Sequence, residues 1–577
     1  MGFFSRGSSL KCCLWVWALL YATTLAFIPI PKLGRSKTPL PPSGPRPKQV
    51  AIVGKFFCCI ELGCALTSLT GAGAAGASTA YSLRKYADEN GVAVNITVLE
   101  RSSYVGGRST TVNVFDDPTY PIELGASIFV EVNYNLVNAS KELGLNVRGA
   151  SYERPKESET LGVWDGKSFV FVMEDSGSWW DIAKIIWRYG LAPIRTQNLM
   201  KSTVNKFLQL YEEPLFPFKS LTAAAALLGL LDATSTPGAT FLEKNSVSPD
   251  FAREVIQAST RVNYGQNLPL IHGLESMVCM ATEGAVSVDG GNWRIFDGML
   301  KAARADVRLN HTVTSINRNK RNIITLDFKD EHTQQRAEFD EVVIAGPYQY
   351  SEITISPPPQ QTPDTIPFHT LYVTLFSSPH RLSWKYFNLK GPSDIPPETI
   401  LTTLPHGTDL GDTEEGVGPA GFWSISTLRT VTKPSISPEE PEKQHYVYKI
   451  FSPERPTARF MRDILGIDQP DLESTSSGSA DGIDDLSRED VSWYHEKTWH
   501  PYPFLYPRVT FEDPILAPGI WYTGGIESFI STMETSALMG KNVAALISHS
   551  WLDQDEDGEI RGLDDSPAVE EDGRAEL

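Results

Sequence analysis

At 577 residues, 41% of them hydrophobic and 13 of them Trp, the chain is too long for one core, and two or more structural units are expected. The formal net charge of −19 excludes a nucleic-acid footprint. Most of that charge comes from residues 467–490, with eight acids against one Arg, and residues 553–577, with eleven against two; segments 467–490 and 551–577 therefore read as solvated, disordered acidic runs on a near-neutral body.

Arg6 and Lys11 precede an apolar run of about 16 residues, Cys12 to Phe27, with small residues placed for cleavage after Ala26. That is shorter than the ~20 residues a spanning helix needs, so residues 1–26 read as a secretory signal, with an uncleaved anchor as the alternative. Residues 27–47 hold seven prolines and read as a linker.

Gln49-Val-Ala-Ile-Val-Gly54 is predicted as a buried strand, Gly71-Ala-Gly-Ala-Ala-Gly76 as a G-x-G-x-x-G turn opening a helix over 77–87, and Asn95-Ile-Thr-Val-Leu-Glu100 as a second strand ending in an acid. These are the parts of a dinucleotide site. Gly71 allows the tight turn, Gly73 lets amides reach a diphosphate, Gly76 permits close helix–strand packing, and Glu100, 24 residues on, is placed for ribose hydroxyls. Arg101 follows at once, and Tyr104-Val-Gly-Gly-Arg108 adds a loop in which Gly106, Gly107 and Arg108 would approach a diphosphate, which points to a flavin.

The strand and its glycine turn are separated by Lys55 to Gly71. Deleting these 17 residues joins Gly54 to Ala72 and leaves an uninterrupted fingerprint. We hypothesise that the segment is translated intron, since 17 codons preserve the reading frame; a mature message that retains them would remove the idea. The rival is an insertion present in the mature chain, in which residues 65–69 compete for the first strand. Cys58, Cys59 and Cys64 lie in this segment and Cys12 and Cys13 in the signal, so Cys279 alone remains and no internal disulfide is expected.

Ile122-Glu-Leu-Gly-Ala-Ser127 offers Gly125, Ala126 and Ser127 as a small-residue stretch against which a flat ring would lie; a simple turn is the alternative. Residues 151–270 read as a helical lid, with helices over 179–189 and 221–231. Strands follow at 307–310 and 313–316, and a buried strand over 338–347. Residues 368–376 alternate as in an antiparallel sheet. Near the end, Gly519 to Glu527 forms a strand and a turn with Gly524, Gly525 and Glu527 before a helix over 531–548. The division is thus 48–150, 271–350 and 506–550 for the nucleotide domain, 151–270 for the lid and 351–505 for the substrate domain. Asn95, Asn138 and Asn310 stand in glycosylation sequons; Asn95, within a parallel strand, is expected to be silent, and Asn138 and Asn310 to be surface sites. No metal set is predicted.

Together the strand–turn–helix at 50–54 and 72–81, Glu100 to Arg108, Glu123 to Ser127, Arg261-Val-Asn-Tyr-Gly-Gln266, Gly290-Gly-Asn292, Trp499-His-Pro-Tyr-Pro503 and Gly524 to Ser536 resemble the prenylcysteine oxidase (prenylcysteine lyase) family of FAD-dependent, amine-oxidase-like enzymes. The resemblance implies an α/β fold: a Rossmann-like FAD-binding domain on a parallel sheet, with an inserted substrate domain of antiparallel strands plus helices. It implies FAD as cofactor, adenine held by backbone near Val313, and cleavage of S-farnesyl- or S-geranylgeranyl-cysteine with O2 and water to cysteine, prenyl aldehyde and H2O2. The secretory signal and the sequons fit a lysosomal or vacuolar lumen or a secreted location; peripheral lipid association is left open by the sequence, and no obligate protein partner is expected. His500 is the one candidate catalytic residue, as a water or thiol partner. A flavin amine or polyamine oxidase and a non-catalytic prenyl-binding protein of the same fold are the alternatives.

Overall fold

The computed structural model describes residues 46–54, 71–149, 160–174, 179–408, 411, 413–433, 443–468 and 482–556. The predicted signal, nearly all of the linker, residues 55–70 and the tail from 557 lie outside them.

Alternating β-branched and small apolar residues make Lys48–Gly54 the centre of a six-stranded sheet, with Val50 to Val53 fully buried. Its neighbours are Glu341–Ile344 and Val94–Glu100, then Ile520–Tyr522 and Asp306–Arg308 outside them, all parallel, and Ile515–Ala517 antiparallel at one edge. Three separated stretches of sequence thus build one parallel sheet. Helix Ala74–Asn90 crosses it and packs against the long terminal helix Met533–Glu556. Gly540 makes that crossing: a Cβ there would lie 2.2 Å from the Ala75 carbonyl oxygen. A small antiparallel meander over 312–339 with strand Thr354–Ser356 packs on the outer face.

A second, seven-stranded sheet runs in the order Trp493–Trp499, Leu371–Ser378, Lys443–Ser452, Ser424–Lys433, Thr399–Thr402, Thr160–Trp164, Phe169–Glu174. All pairings are antiparallel except Thr399–Thr402 with Thr160–Trp164. One face carries Phe376, Tyr448 and Ile450 into a local core; the other looks toward the nucleotide domain.

Four expectations are corrected. The region 151–270 is not helical throughout, because Thr160–Trp164 and Phe169–Glu174 form the far edge of the substrate sheet, and helices begin at Trp179. The helix expected over 221–231 is two helices, Leu221–Leu227 and Leu231–Ser235, parted by Gly229 at φ 61°. The acidic runs are shorter than composition suggests. Residues 482–490 are folded, with Ile483 and Leu486 buried and Asp484 paired to Arg455 at 2.6 Å, and the terminal helix continues to Glu556, held by buried Trp551, whose indole donates to Glu341. Asn95 is exposed at the start of its strand, where the neighbouring sheet faces do not cover it.

Candidate active site

Helix Ala74–Asn90 starts at Gly73, and no side chain caps it. Its first-turn amides therefore stay free to meet an anion, helped by the helix dipole. Gly73, Ala74 and Ala75 line a cavity of about 460 Å³ between the two sheets. The turn itself admits no side chains: a Cβ on Gly71 would lie 2.6 Å from the Leu99 carbonyl oxygen, and one on Gly76 would lie 1.9 Å from that of Gly71. Gly71 also stands against Gly54, which ends the opening strand in register with Glu100. Glu100 is buried, with one carboxylate oxygen accepting from the Ala72 amide at 3.1 Å and the other from Ser102 at 2.6 Å; burial pushes its pKa up to about 7. Arg101 is half-buried beside it.

Gly106 and Gly107 have φ of 113° and 63°, a region open chiefly to glycine, and the Gly106 amide donates to the Ala72 carbonyl at 3.0 Å. Arg108 lines the cavity, but its guanidinium grips Glu527 through two bonds of 2.8 Å and donates to the Pro501 carbonyl. The predicted diphosphate contact is thus a clamp joining the glycine loop, the Trp499–Pro503 segment and the entry to the terminal helix. Glu534, the next acid, accepts from the amides of Asn135 and Leu136 and so satisfies the start of helix Tyr134–Glu142.

The small-residue stretch forms cavity wall from Glu123 to Ile128, Leu124 apart. Gly125 must be glycine, because a Cβ would meet the Arg108 carbonyl oxygen and the Trp499 ring, each at 2.6 Å. Asn292 fixes this stretch: its amide donates to Glu123 at 2.6 Å and its side chain to the Ala126 carbonyl at 3.0 Å. Glu123 is buried, its pKa is pushed up to about 7 by burial, and its second carboxylate oxygen has no hydrogen-bond partner among the described residues.

The remaining motifs are scaffolding for one another. Arg261 is fully buried with neutral partners, Thr402, Asn267 and the carbonyls of Gly416 and Val417, and lies 4.7 Å from the Trp423 ring centre. Gln266 exchanges hydrogen bonds with Pro503 and Leu505, which sets Tyr264 and Tyr502 edge to face in the cavity wall.

His500 is a correction. Trp499, Pro501 and Tyr502 line the cavity and His500 does not, its Nδ1 lying 3.2 Å from the Thr370 hydroxyl. Gly524 and Gly525 also lie off the wall; they are small because Tyr522 and the Glu512 carbonyl press against them. Val313 is buried in the meander beside Leu99. The cavity wall includes residues that sequence reading missed: Leu161, Leu371, Thr399, Ser424, Ser426, Leu428, Lys449 and Phe451, all from the substrate sheet. Lys449 alone left a mark, as a charge at an inward position of a strand otherwise buried and largely apolar there.

The chain matches the family described as prenylcysteine lyase over residues 172–559. It belongs to that family. Residues 70–141 match an NAD(P)-binding Rossmann-like domain, a match that begins where the intervening segment ends. Farnesylcysteine lyase of Arabidopsis thaliana is 28% identical, covering 85% of this chain and 89% of that protein; prenylcysteine oxidase 1 of Mus musculus is 27% identical, covering 88% and 97%. Among solved structures, a putrescine oxidase variant aligns over 87% of this chain and 99% of its own at 16% identity, with a TM-score of 0.49.

Proposed function

We propose that the protein is an FAD-dependent oxidase that cleaves the thioether of S-farnesyl- or S-geranylgeranyl-L-cysteine, consuming O2 and water and releasing cysteine, the prenyl aldehyde and hydrogen peroxide. One observation carries this reading: a single cavity joins the uncapped helix start and the glycine turn to an apolar wall made by Leu161, Val262, Leu371, Leu428 and Phe451. The glycine turn, the loop at Gly106 and the Glu123–Ser127 stretch fit the dinucleotide and ring of FAD. Bound there, FAD supplies acceptance of a hydride from the carbon attached to sulfur. The chain does the rest. Its apolar wall takes the prenyl tail out of water, Tyr264, Tyr502 and Trp499 close over the reacting end, and the polar atoms near Glu123 admit the one water that must add to the oxidised carbon before the carbon–sulfur bond breaks.

The test is to express the chain with and without residues 55–71 and measure flavin absorbance and peroxide release. Release from S-farnesyl-L-cysteine and none from putrescine or spermine is expected. A flavin-loaded protein that oxidises the amines instead would make it an amine oxidase, and a folded but colourless one would leave a prenyl-binding protein.

A secretory route to the lysosomal or vacuolar lumen, or to the exterior, is part of the same reading, supported by the N-terminal sequence and by the exposed positions of Asn138 and Asn310. So is peripheral contact with lipid, where such a substrate would partition. Ile186, Trp187 and Leu191 are exposed together, Trp187 at 90%, while no described helix is long and apolar enough to cross a membrane. Trp187→Ser should weaken cosedimentation with phosphatidylcholine vesicles and leave turnover of detergent-dispersed substrate unchanged; unchanged cosedimentation would remove the lipid contact.

A further inference from the structure

One row of the seven-stranded sheet places three polar groups in line on the cavity floor. Thr399, Ser426 and Lys449 are register partners on adjacent strands, all three line the cavity, and Leu161 continues the row beyond Thr399. Lys449 is buried, 7% exposed. Its ammonium donates to the Glu123 carbonyl at 2.8 Å and the Ser127 hydroxyl at 3.3 Å, and lies 4.7 Å from the Phe451 ring centre. An ammonium has three donors, so one remains.

Ion balance points the same way. A cation taken out of water is costly unless an anion faces it, and among the described residues no carboxylate lies within ion-pair distance of Lys449. Glu123 is the charged group that acts on it, and burial favours the neutral form of Glu123. The other cation on the cavity wall, Arg108, is already neutralised by Glu527. The floor therefore offers one positive charge that no described carboxylate pairs, beside the Thr399 and Ser426 hydroxyls, in a cavity whose wall mixes apolar groups with further hydroxyls such as Ser127 and Ser424.

We infer that the Thr399–Ser426–Lys449 row binds the α-carboxylate of the cysteinyl end of the substrate, so that a free carboxylate is a specificity requirement. The inference rests on the proposed function, which supplies the amino-acid substrate. It makes Lys449 a binding residue rather than an acid or base. It also sets a pH dependence: as pH rises, Glu123 ionises above about 7 and Lys449 loses its proton above about 8, and both changes disfavour a carboxylate ligand.

Calorimetric titration of the FAD-loaded protein with S-decyl-L-cysteine, whose carbon next to sulfur is not allylic, and with its methyl ester tests this without turnover. The acid should bind about 10- to 100-fold more tightly than the ester, the usual range for losing a charged hydrogen bond. Lys449→Met should remove that preference by weakening the acid alone, and Ser426→Ala should reduce it. The acid's affinity should fall from pH 7 to 9 in the parent protein. Equal affinities for acid and ester in the parent would overturn the inference, whether or not the Lys449 variant folds; so would an undiminished preference in Ser426→Ala and Lys449→Met. Peroxide release from S-farnesyl-L-cysteine separates the two claims. Release without acid–ester preference leaves the function and removes this site, and preference without release does the reverse.

Discussion

The two sheets that face each other across the cavity contribute to it in opposite ways. The parallel sheet presents backbone: free amides at the start of Ala74–Asn90 and glycines whose Cβ positions are filled by neighbouring carbonyls. The antiparallel sheet presents side chains: Leu161, Thr399, Ser426, Leu428, Lys449 and Phe451. A site made of backbone restricts which residues can occupy it, whereas a site made of side chains on a sheet face restricts only their alternation. The sharpest way to break the first half is Gly76→Ala. With a Cβ 1.9 Å from the Gly71 carbonyl oxygen, the turn must open, and we expect loss of bound flavin, read at about 450 nm, with destabilisation of about 3 kcal/mol. Retained flavin would mean that the turn does not form the cofactor cradle.

That contrast explains what the sequence disclosed. The opening strand, the glycine turn, Glu100 and the Gly106–Arg108 loop were legible because each needs a particular residue type at a particular spacing. Asn292 was quoted within a motif without its role, since its hold on Glu123 and Ala126 spans more than 160 positions. Thr399 and Ser426 were illegible, and Lys449 showed only as a charge on a buried strand, because strand register, set by two separate pairings, brings the three into line. His500 failed for a related reason: it sits between cavity-lining Trp499 and Pro501, and its ring engages Thr370 instead. The hairpin over 160–174 was hidden inside a region whose helices dominate its periodicity.

The joint between the halves is Arg108, which holds Glu527 on its own side and donates to the Pro501 carbonyl just past the antiparallel sheet, and Arg108→Ala tests whether the two walls depend on each other. Removing the guanidinium leaves a nearly buried carboxylate unpaired, which costs about 3 kcal/mol. The expected result is a lower Tm together with weaker flavin retention, and Arg108→Ala/Glu527→Gln should recover part of the stability. A Tm loss with flavin affinity intact would show that the clamp serves the fold alone.

Deleting residues 55–71 probes the parallel half with a smaller effect of opposite sign. Gly54 pairs with Glu100, the Ala72 amide reaches the Glu100 carboxylate, and a Cβ on Gly71 would lie 3.3 Å from the Gly54 nitrogen. The chain therefore leaves and re-enters the site at one place. Joining Gly54 to Ala72 should keep the strand register and remove the entropy of closing a 17-residue loop, stabilising the fold by about 2 kcal/mol. A lower Tm in the shortened chain would show that the segment contributes packing of its own.

The smallest expected effect is in pH, where buried carboxyls and buried histidines act in opposite directions. Glu100, Glu123 and Glu534, with pKa pushed to about 7, and Glu275, pushed to about 8, are all raised by burial from an ordinary 4.5. A raised carboxyl contributes stability that is complete below the unfolded pKa and is lost as pH rises through the folded one. Buried His272, His369 and His445 act oppositely. Their pKa values, lowered by burial to about 4, 3 and 4, give stability that is complete above about 6.5 and lost as pH falls. Between pH 4.5 and 6.5 the two sets offset each other; above 6.5 only the carboxyl loss continues. Tm should therefore fall by a few degrees from pH 6.5 to 8. Glu275→Gln should flatten the segment above pH 7, because Glu275 is the group that titrates last, whereas Glu534→Gln should act mainly below it. A Tm that rises across pH 6.5 to 8 would mean that these carboxyls are ionised in the fold. It would also remove the physical link between this interior and the acidic lumen proposed for it.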